Sequence, residues 1–213
     1  MIETATGLVL RTRRLTETSL IIHWLTPNLG RLATVAKGAL RPKSPFRGKV
    51  DLFYLADFSF VRSRRSELHN LREVSIRETH PAIRRELGRV QHASYAAALV
   101  EQVTESETPL PEIFELAQKF FHALTETSAQ PHLVFAFELK LLAELGLDPD
   151  LIKGHLTAGA RLIVKMLKEE DWSAISNLKT SSAQTVELSQ FLHGFLIYHL
   201  GKIPAGRLAA VQG

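Results

Sequence analysis

The sequence contains not one cysteine in 213 residues. Disulfides are excluded, and so are thiolate zinc sites of the ribbon or finger kind; such a chain suits a reducing cytosol. Long apolar runs are also missing, because the hydrophobic stretches are short and broken by charge, and none reads as a bilayer span. The start, MIETATGLVLRTRR, has no basic region leading into an apolar one, so no secretory signal is expected. Catalytic signatures are equally scarce: there is no G-x-S-x-G elbow, and no Cys–His pair can form. FRGKV resembles the end of a P-loop, but Lys43 stands at the first glycine position and Val50 where Ser or Thr is required. The nine histidines show no H-E-x-x-H spacing, and Glu169–Glu170 reads as a solvated helix end. The expectation is a protein that is no enzyme, with no metal, cofactor, small-molecule substrate or membrane partner.

What is present is ordinary in amount and uneven in distribution. A hydrophobic share of 45% and a charged share of 23% belong to a soluble globular chain. Residues 1–80 carry 14 Lys+Arg against 7 Asp+Glu, net +7, whereas residues 81–213 carry 12 against 15, net −3. The basic half is expected to meet polyanions and the other half to scaffold or meet proteins. The alternative is that surface charge drifts between domains for solubility alone.

Five short runs rich in β-branched and aliphatic residues fill the first part: TGLVLRTRR (6–14), TSLIIHWLT (18–26), GRLATVAKG (30–38), LFYLADFSFVR (52–62) and LHNLREVSIRE (68–78). TPNLG (26–30) is a hairpin signal between the second and third. Five short antiparallel strands fit a small closed barrel, most commonly an OB-fold, with an SH3-like barrel as the rival on strand count. Pro81 opens a helical regime, with helices expected at 81–87, 89–105, from 110, 131–146, 158–170 and 185–201. PHLVFAFELKLLAELG (131–146) is apolar nearly all round and is expected in the middle of a bundle. The fold class is α+β, β then α: a five-stranded OB-fold barrel at 1–79 and an all-helical domain at 80–213.

Between strands three and four lies VAKGALRPKSPFRGKVD (35–51), with five basic residues and no acid before Asp51. Single-stranded nucleic acid is held by cations that track phosphates and by aromatic faces that stack on bases. The candidate cations are Arg31, Lys37, Arg41, Lys43, Arg47 and Lys49, with Arg62, Arg64 and Arg65 at a second tip and Arg11, Arg13 and Arg14 on the first strand. Phe46 is the leading stacking candidate because it lies inside the polar loop; Phe53, Tyr54 and Trp24 are nearby, while Trp24, Phe58 and Phe60 read as barrel core. The other reading of the stretch is a solvated connection.

The run LRTRRLTETSLIIHWLTPNLGRLATVAKGALRPKSPFRG, with its ET at 17–18, LT before Gly30 and AKGA at 36–39, resembles the RecO family of bacterial recombination mediators. Arg41, Lys43, Ser44, Phe46 and Gly48, LREV (71–74), ASYAAALVEQVTE and FELKLLAELGLDPDL (137–151) continue the likeness. The resemblance implies an OB-fold followed by helices, binding of single- and double-stranded DNA, annealing of complementary strands, and help in loading the RecA recombinase. RecR and single-strand-binding protein are the implied partners, and the cytoplasm, with the nucleoid, the implied location. Many family members carry a four-cysteine zinc ribbon after the LGLDPDL point. Here IKGHL runs straight into the helix near Ala158, so the ribbon is expected to be deleted near 151–157. A general single-stranded DNA or RNA module, or a protein–protein adaptor, stays open as an alternative.

Overall fold

The computed structural model describes residues 1–147, 149 and 156–212; residues 151–155, within the segment where the ribbon is expected to be deleted, lie outside the described residues. The chain divides into two compact units, Met1–Pro81 with Val100–Gln118, and Ala82–Leu99 with Lys119–Gly213.

The first unit is built on β1 (Ile2–Arg14), β2 (Leu20–Thr26), β3 (Gly30–Ala36), β4 (Leu55–Val61) and β5 (Leu68–Glu78), which close into a barrel in the order β1-β2-β3-β5-β4. This is the OB-fold order and not that of an SH3-like barrel. β1 serves two seams: Ile2–Leu8 pairs with β4, and Leu8–Arg14 pairs with β2, with a register shift between Val9 and Arg11. A bulge at that point bends and twists the strand, which lets it curl from one neighbour to the other. The last seam, β3 with β5, is parallel and short, joining Ala33, Thr34 and Val35 to Leu68, His69 and Asn70.

Alternation sets the core. Val9, Ile22, Trp24, Leu32, Ala56, Phe58, Phe60, Leu71 and Val74 form one buried cluster, as period-two side chains on a closed sheet must. Trp24 stacks on Phe58 at 4.1 Å between ring centroids and donates its indole N–H to Thr34 Oγ1 at 2.8 Å. Gly7 leaves room for these rings, since a Cβ there would lie 2.9 Å from Phe58 Cε1. Of the flanking segment, Glu107 donates its backbone N–H to the Arg31 carbonyl at 2.7 Å. A Cβ on Gly30 would sit 2.0 Å from the Thr108 carbonyl oxygen, and its φ is +64°, so the hairpin corner admits only glycine.

His23 on β2 points outward at Glu101, its Nδ1 3.4 Å from the carboxylate, and Arg11 reaches the same carboxylate at 3.2 Å. Burial, with Arg11, Arg13 and Arg31 near, pushes its imidazole down to about 4. The unfolded chain therefore takes up this proton near pH 6.5 and the folded barrel only near 4, so stability is fully present above pH 6.5 and is lost as pH falls toward 4. His23→Gln is expected to flatten that limb when urea midpoints are compared between pH 4 and 7; parallel pH profiles for the two proteins would exclude it.

The helices are α1 (Leu87–Val103), α2 (Pro111–Glu126), α3 (Pro131–Glu144), α4 (Ala158–Glu169), α5 (Trp172–Ser176), α6 (Ser182–Leu200) and α7 (Arg207–Gln212), after a 3-10 turn at Pro81–Arg85. In the second unit α3 packs against α4, α5, α6 and α7, and its residues 132–139 are all buried. Phe120 and Phe137 meet at 4.6 Å between centroids. Glu138, fully buried, takes Tyr95 Oη at 2.6 Å and a two-pronged contact from Arg207, Nε at 2.6 Å and Nη2 at 2.9 Å. A capping box of Ser181 and Gln184 starts α6 and Gly201, φ 71°, ends it. The short helices α5 and α7 are additions to the expected set.

Candidate nucleic-acid interface

The connection from β3 to β4 is a chain of reverse turns. Arg41 N–H donates to Gly38 O, Ser44 to Arg41, Arg47 to Ser44 and Lys49 to Phe46, at 3.0 to 3.2 Å. Gly38 and Gly48 supply left-handed corners at φ 68° and 72°. Two anchors tie the segment down: Leu40 N–H donates to Thr18 O at 2.9 Å, and Gly38 N–H to Ser19 Oγ at 3.2 Å. Ala39 and Phe46 drop into the barrel cluster. Tight turns with buried apolar pegs leave the long polar side chains no place but solvent.

Lys37, Arg41, Lys43, Arg47 and Lys49 are accordingly exposed. Arg47 Nη1 donates to the Pro42 carbonyl at 3.1 Å, while Lys37, Arg41, Lys43 and Lys49 have no side-chain partner among the described residues. Cations this close repel one another unless a polyanion relieves them.

The remaining expected residues divide. Arg64 and Arg65 stand exposed at the β4–β5 tip. Arg31 and Arg62 are engaged within the unit. Arg31 donates to Thr104, Nη2 to the carbonyl at 2.9 Å and Nε to Oγ1 at 3.3 Å. Arg62 forks onto Glu3 at 2.9 and 3.0 Å and reaches Glu107 at 2.7 Å. That contact holds Glu3 below the usual carboxylate range and raises the guanidinium. Phe46 differs from its expected role: it is 7% exposed, and its ring pegs the loop into the barrel instead of standing free for a base. A polar loop needs an apolar anchor, and this is the loop's only aromatic side chain between Lys37 and Lys49. Trp24, Phe53, Phe58 and Phe60 are buried and Tyr54 half-buried.

Three clefts surround the loop. The largest of them, about 860 Å³, crosses β1, β4 and β5, and is lined by Lys49 and Arg72 together with Asp57 and Glu73. Asp57 is held ionised below its usual range by Arg77 at 2.7 Å and Thr6 at 2.6 Å, so this cleft is of mixed charge. A second, about 430 Å³, has Arg41 and Arg47 over Leu20, Leu40 and Val50. A third, about 340 Å³, gathers Lys37, Asn70 and Arg72 around Pro45, Phe46 and Leu71. Sequence reasoning passed over Asn70 and Arg72: alternation from Val74 and Ile76 turns both inward, and it is the register shift of β5 opposite Ser59 and Phe60 that leaves Leu71 and Val74 buried with Arg72 outside. Among the described residues no group of three or more His, Asp or Glu could hold a metal ion, and no helix is long and apolar enough to cross a membrane.

Comparison with known proteins adds independent findings. Residues 1–80 match the family described as recombination protein O, N terminal, and residues 84–158 the one described as recombination protein O, C terminal. The chain is similar to the DNA repair protein RecO of Syntrophus aciditrophicus, 31% identical over 145 residues, 68% of this chain and 56% of that protein. It is similar to that of Exiguobacterium sibiricum, 28% identical over 215 residues, 95% of this chain and 82% of the relative. The RecO of Anaeromyxobacter sp. strain K is 33% identical over 146 residues, 68% of this chain and 58% of that protein. The chain thus spans little more than half the length of the first and last of these relatives.

Proposed function

This chain belongs to the RecO family, and from that premise we propose that it is a non-catalytic DNA-binding protein of repair and recombination. The observation that carries the reading is the row of partnerless cations Lys37, Arg41, Lys43 and Lys49 on the turns that plug an OB barrel. Arg47, Arg64, Arg65 and Arg72 extend it, while Arg31 and Arg62, held by Thr104, Glu3 and Glu107, stand beside it with their charges already engaged. Residues 1–79 are the nucleic-acid-binding domain in this reading and 80–213 the helical one. The finer activity is a mediator's: annealing complementary strands and helping to load RecA onto DNA coated by single-strand-binding protein, with RecR as partner, in the cytoplasm. The descriptions recombination protein O and DNA repair protein RecO on its relatives support the repair and recombination part of this reading.

Five phosphate contacts to a single strand give a log–log salt dependence of about −3.5, at roughly 0.7 per phosphate. Lys37→Ala, Arg41→Ala and Lys43→Ala together are expected to shrink that slope by about 2, read by fluorescence anisotropy of a labelled single strand across a salt series. An unchanged slope removes the loop from the interface. Competition with an RNA oligomer of the same sequence separates a DNA protein from a general single-strand binder, since phosphate contacts do not read the sugar.

A further inference from the structure

The third cleft is composed differently from its neighbours. Lys37 follows the end of β3, and Asn70 and Arg72 lie two apart on β5, on one face of the strand. Among the described residues none of these three side chains has a hydrogen-bond or ion-pair partner. All three line the same recess of about 340 Å³, with Pro45, Phe46 and Leu71 as its apolar part. No carboxylate lines it, in contrast to the largest cleft with Asp57 and Glu73.

The recess follows from the strand pairing. β3 and β5 are joined only at Ala33–Val35 and Leu68–Asn70; β3 ends at Ala36 while β5 runs on to Glu78. Phe46 and Pro45 border the gap where the two strands part. The result is a pit at the barrel seam, at the small end of the roughly 300–1,000 Å³ range of ligand sites. It has room for a nucleotide and none for a duplex.

The chemistry is that of one nucleotide. Two cations serve a phosphate. A carboxamide offers an N–H donor and a C=O acceptor side by side, which is the complement of a base edge. Pro45, which is exposed, gives an apolar edge for the base. Paired and stacked bases cannot reach such a pit, so an unstacked strand is required. We propose that this cleft captures one unstacked nucleotide of a single strand, with Lys37 and Arg72 on its phosphate and Asn70 on its base edge. The inference rests on the DNA-binding reading and adds a base contact to it.

The test compares anisotropy titrations of oligothymidylate and of an abasic deoxyribose-phosphate oligomer of equal length. The unaltered protein is expected to prefer oligothymidylate. Asn70→Leu should weaken oligothymidylate about fivefold, the loss of one ordinary hydrogen-bonded contact, and leave the abasic oligomer untouched. Lys37→Ala with Arg72→Ala should weaken both and reduce the salt slope by about 1.4. Asn70→Ser, run in parallel with circular dichroism on every variant, keeps the result independent of how one substitution folds. Asn70 variants that bind oligothymidylate normally, or that lose both oligomers equally, overturn the proposal. Equal binding of the two oligomers by the unaltered protein overturns the base contact alone, whereas failure to bind either at low salt overturns the DNA-binding reading itself.

Discussion

Truncating Arg207 to alanine is expected to remove about 3–5 kcal/mol of unfolding free energy, the cost of stranding one member of a buried ion pair. Glu138 sits on α3 with no exposure at all, and its two oxygens are filled by Arg207 and by the Tyr95 hydroxyl. Burial works against the Arg207 charge, yet the Glu138 contacts outweigh it and the guanidinium is raised. The Tyr95 phenol is likewise pushed up, first by burial and then by the neighbouring carboxylate, so it stays a donor. Remove Arg207 and the carboxylate keeps one hydrogen bond in an apolar interior, which costs far more than the pair is worth in place. Glu138→Ala should be as damaging for the mirror reason. Combining Glu138→Leu with Arg207→Met and Tyr95→Phe should recover most of the loss, because apolar groups then replace all three members of the buried cluster. Urea unfolding of the three proteins measures this, and an Arg207→Ala midpoint within error of the parent would refute the account.

Phe46→Ala carries the second large effect, about 3–5 kcal/mol for emptying a buried phenylalanine site, and it falls on the loop that bears the cations. The ring joins Val9, Trp24, Phe58 and Leu71 in one cluster and borders all three clefts. With the ring gone, the turns from Gly38 to Lys49 keep only the small Ala39 peg and the hydrogen bonds to Thr18 and Ser19 at their start, and the phosphate contacts must be ordered on binding instead of beforehand. Weaker DNA binding should therefore accompany the loss of stability. Phe46→Leu separates the two roles that an aromatic could play here. A peg tolerates leucine in part, so binding should survive; a stacking platform does not, and would lose about 1–3 kcal/mol per base with the fold intact. The second pattern would reinstate the ring as a base contact.

These two residues also mark where the sequence stops being legible. Strands with β-branched runs, the hairpin at 26–30 and the helices with an apolar stripe follow local periodicity, so their existence and order could be read directly. The charge of the loop could be read as well, since it needs only composition. Partners could not. Phe46 sits among prolines and basic residues with no period to give its direction, and only the barrel interior explains it. Glu138 looked like a polar interruption in an apolar helix, because its partner lies 69 positions away. Arg31 and Arg62 looked as free as Lys37, until Thr104 and Glu107 supplied long-range acceptors. Asn70 and Arg72 were the reverse case: strict alternation from Val74 and Ile76 would turn them inward, and only the register shift in β5 and the gap beside β3 give them an outer face.

The double duty of β1 has a consequence for how the chain assembles. Its hairpin with β2, and that of β2 with β3, join neighbours in sequence and can form as soon as the turns do. The seam from Ile2–Val61 to Leu8–Leu55 cannot, because it needs a partner from the far side of the loop. Loop closure must precede the reward of that pairing, which makes such a barrel a slow, late-closing element. Until β4 arrives, Trp24 has no Phe58 to stack on and Phe46 has no pocket to fill. The cationic loop is thus seated only once β4 has closed on β1, and a chain cut short before β4 carries the charges without the shape.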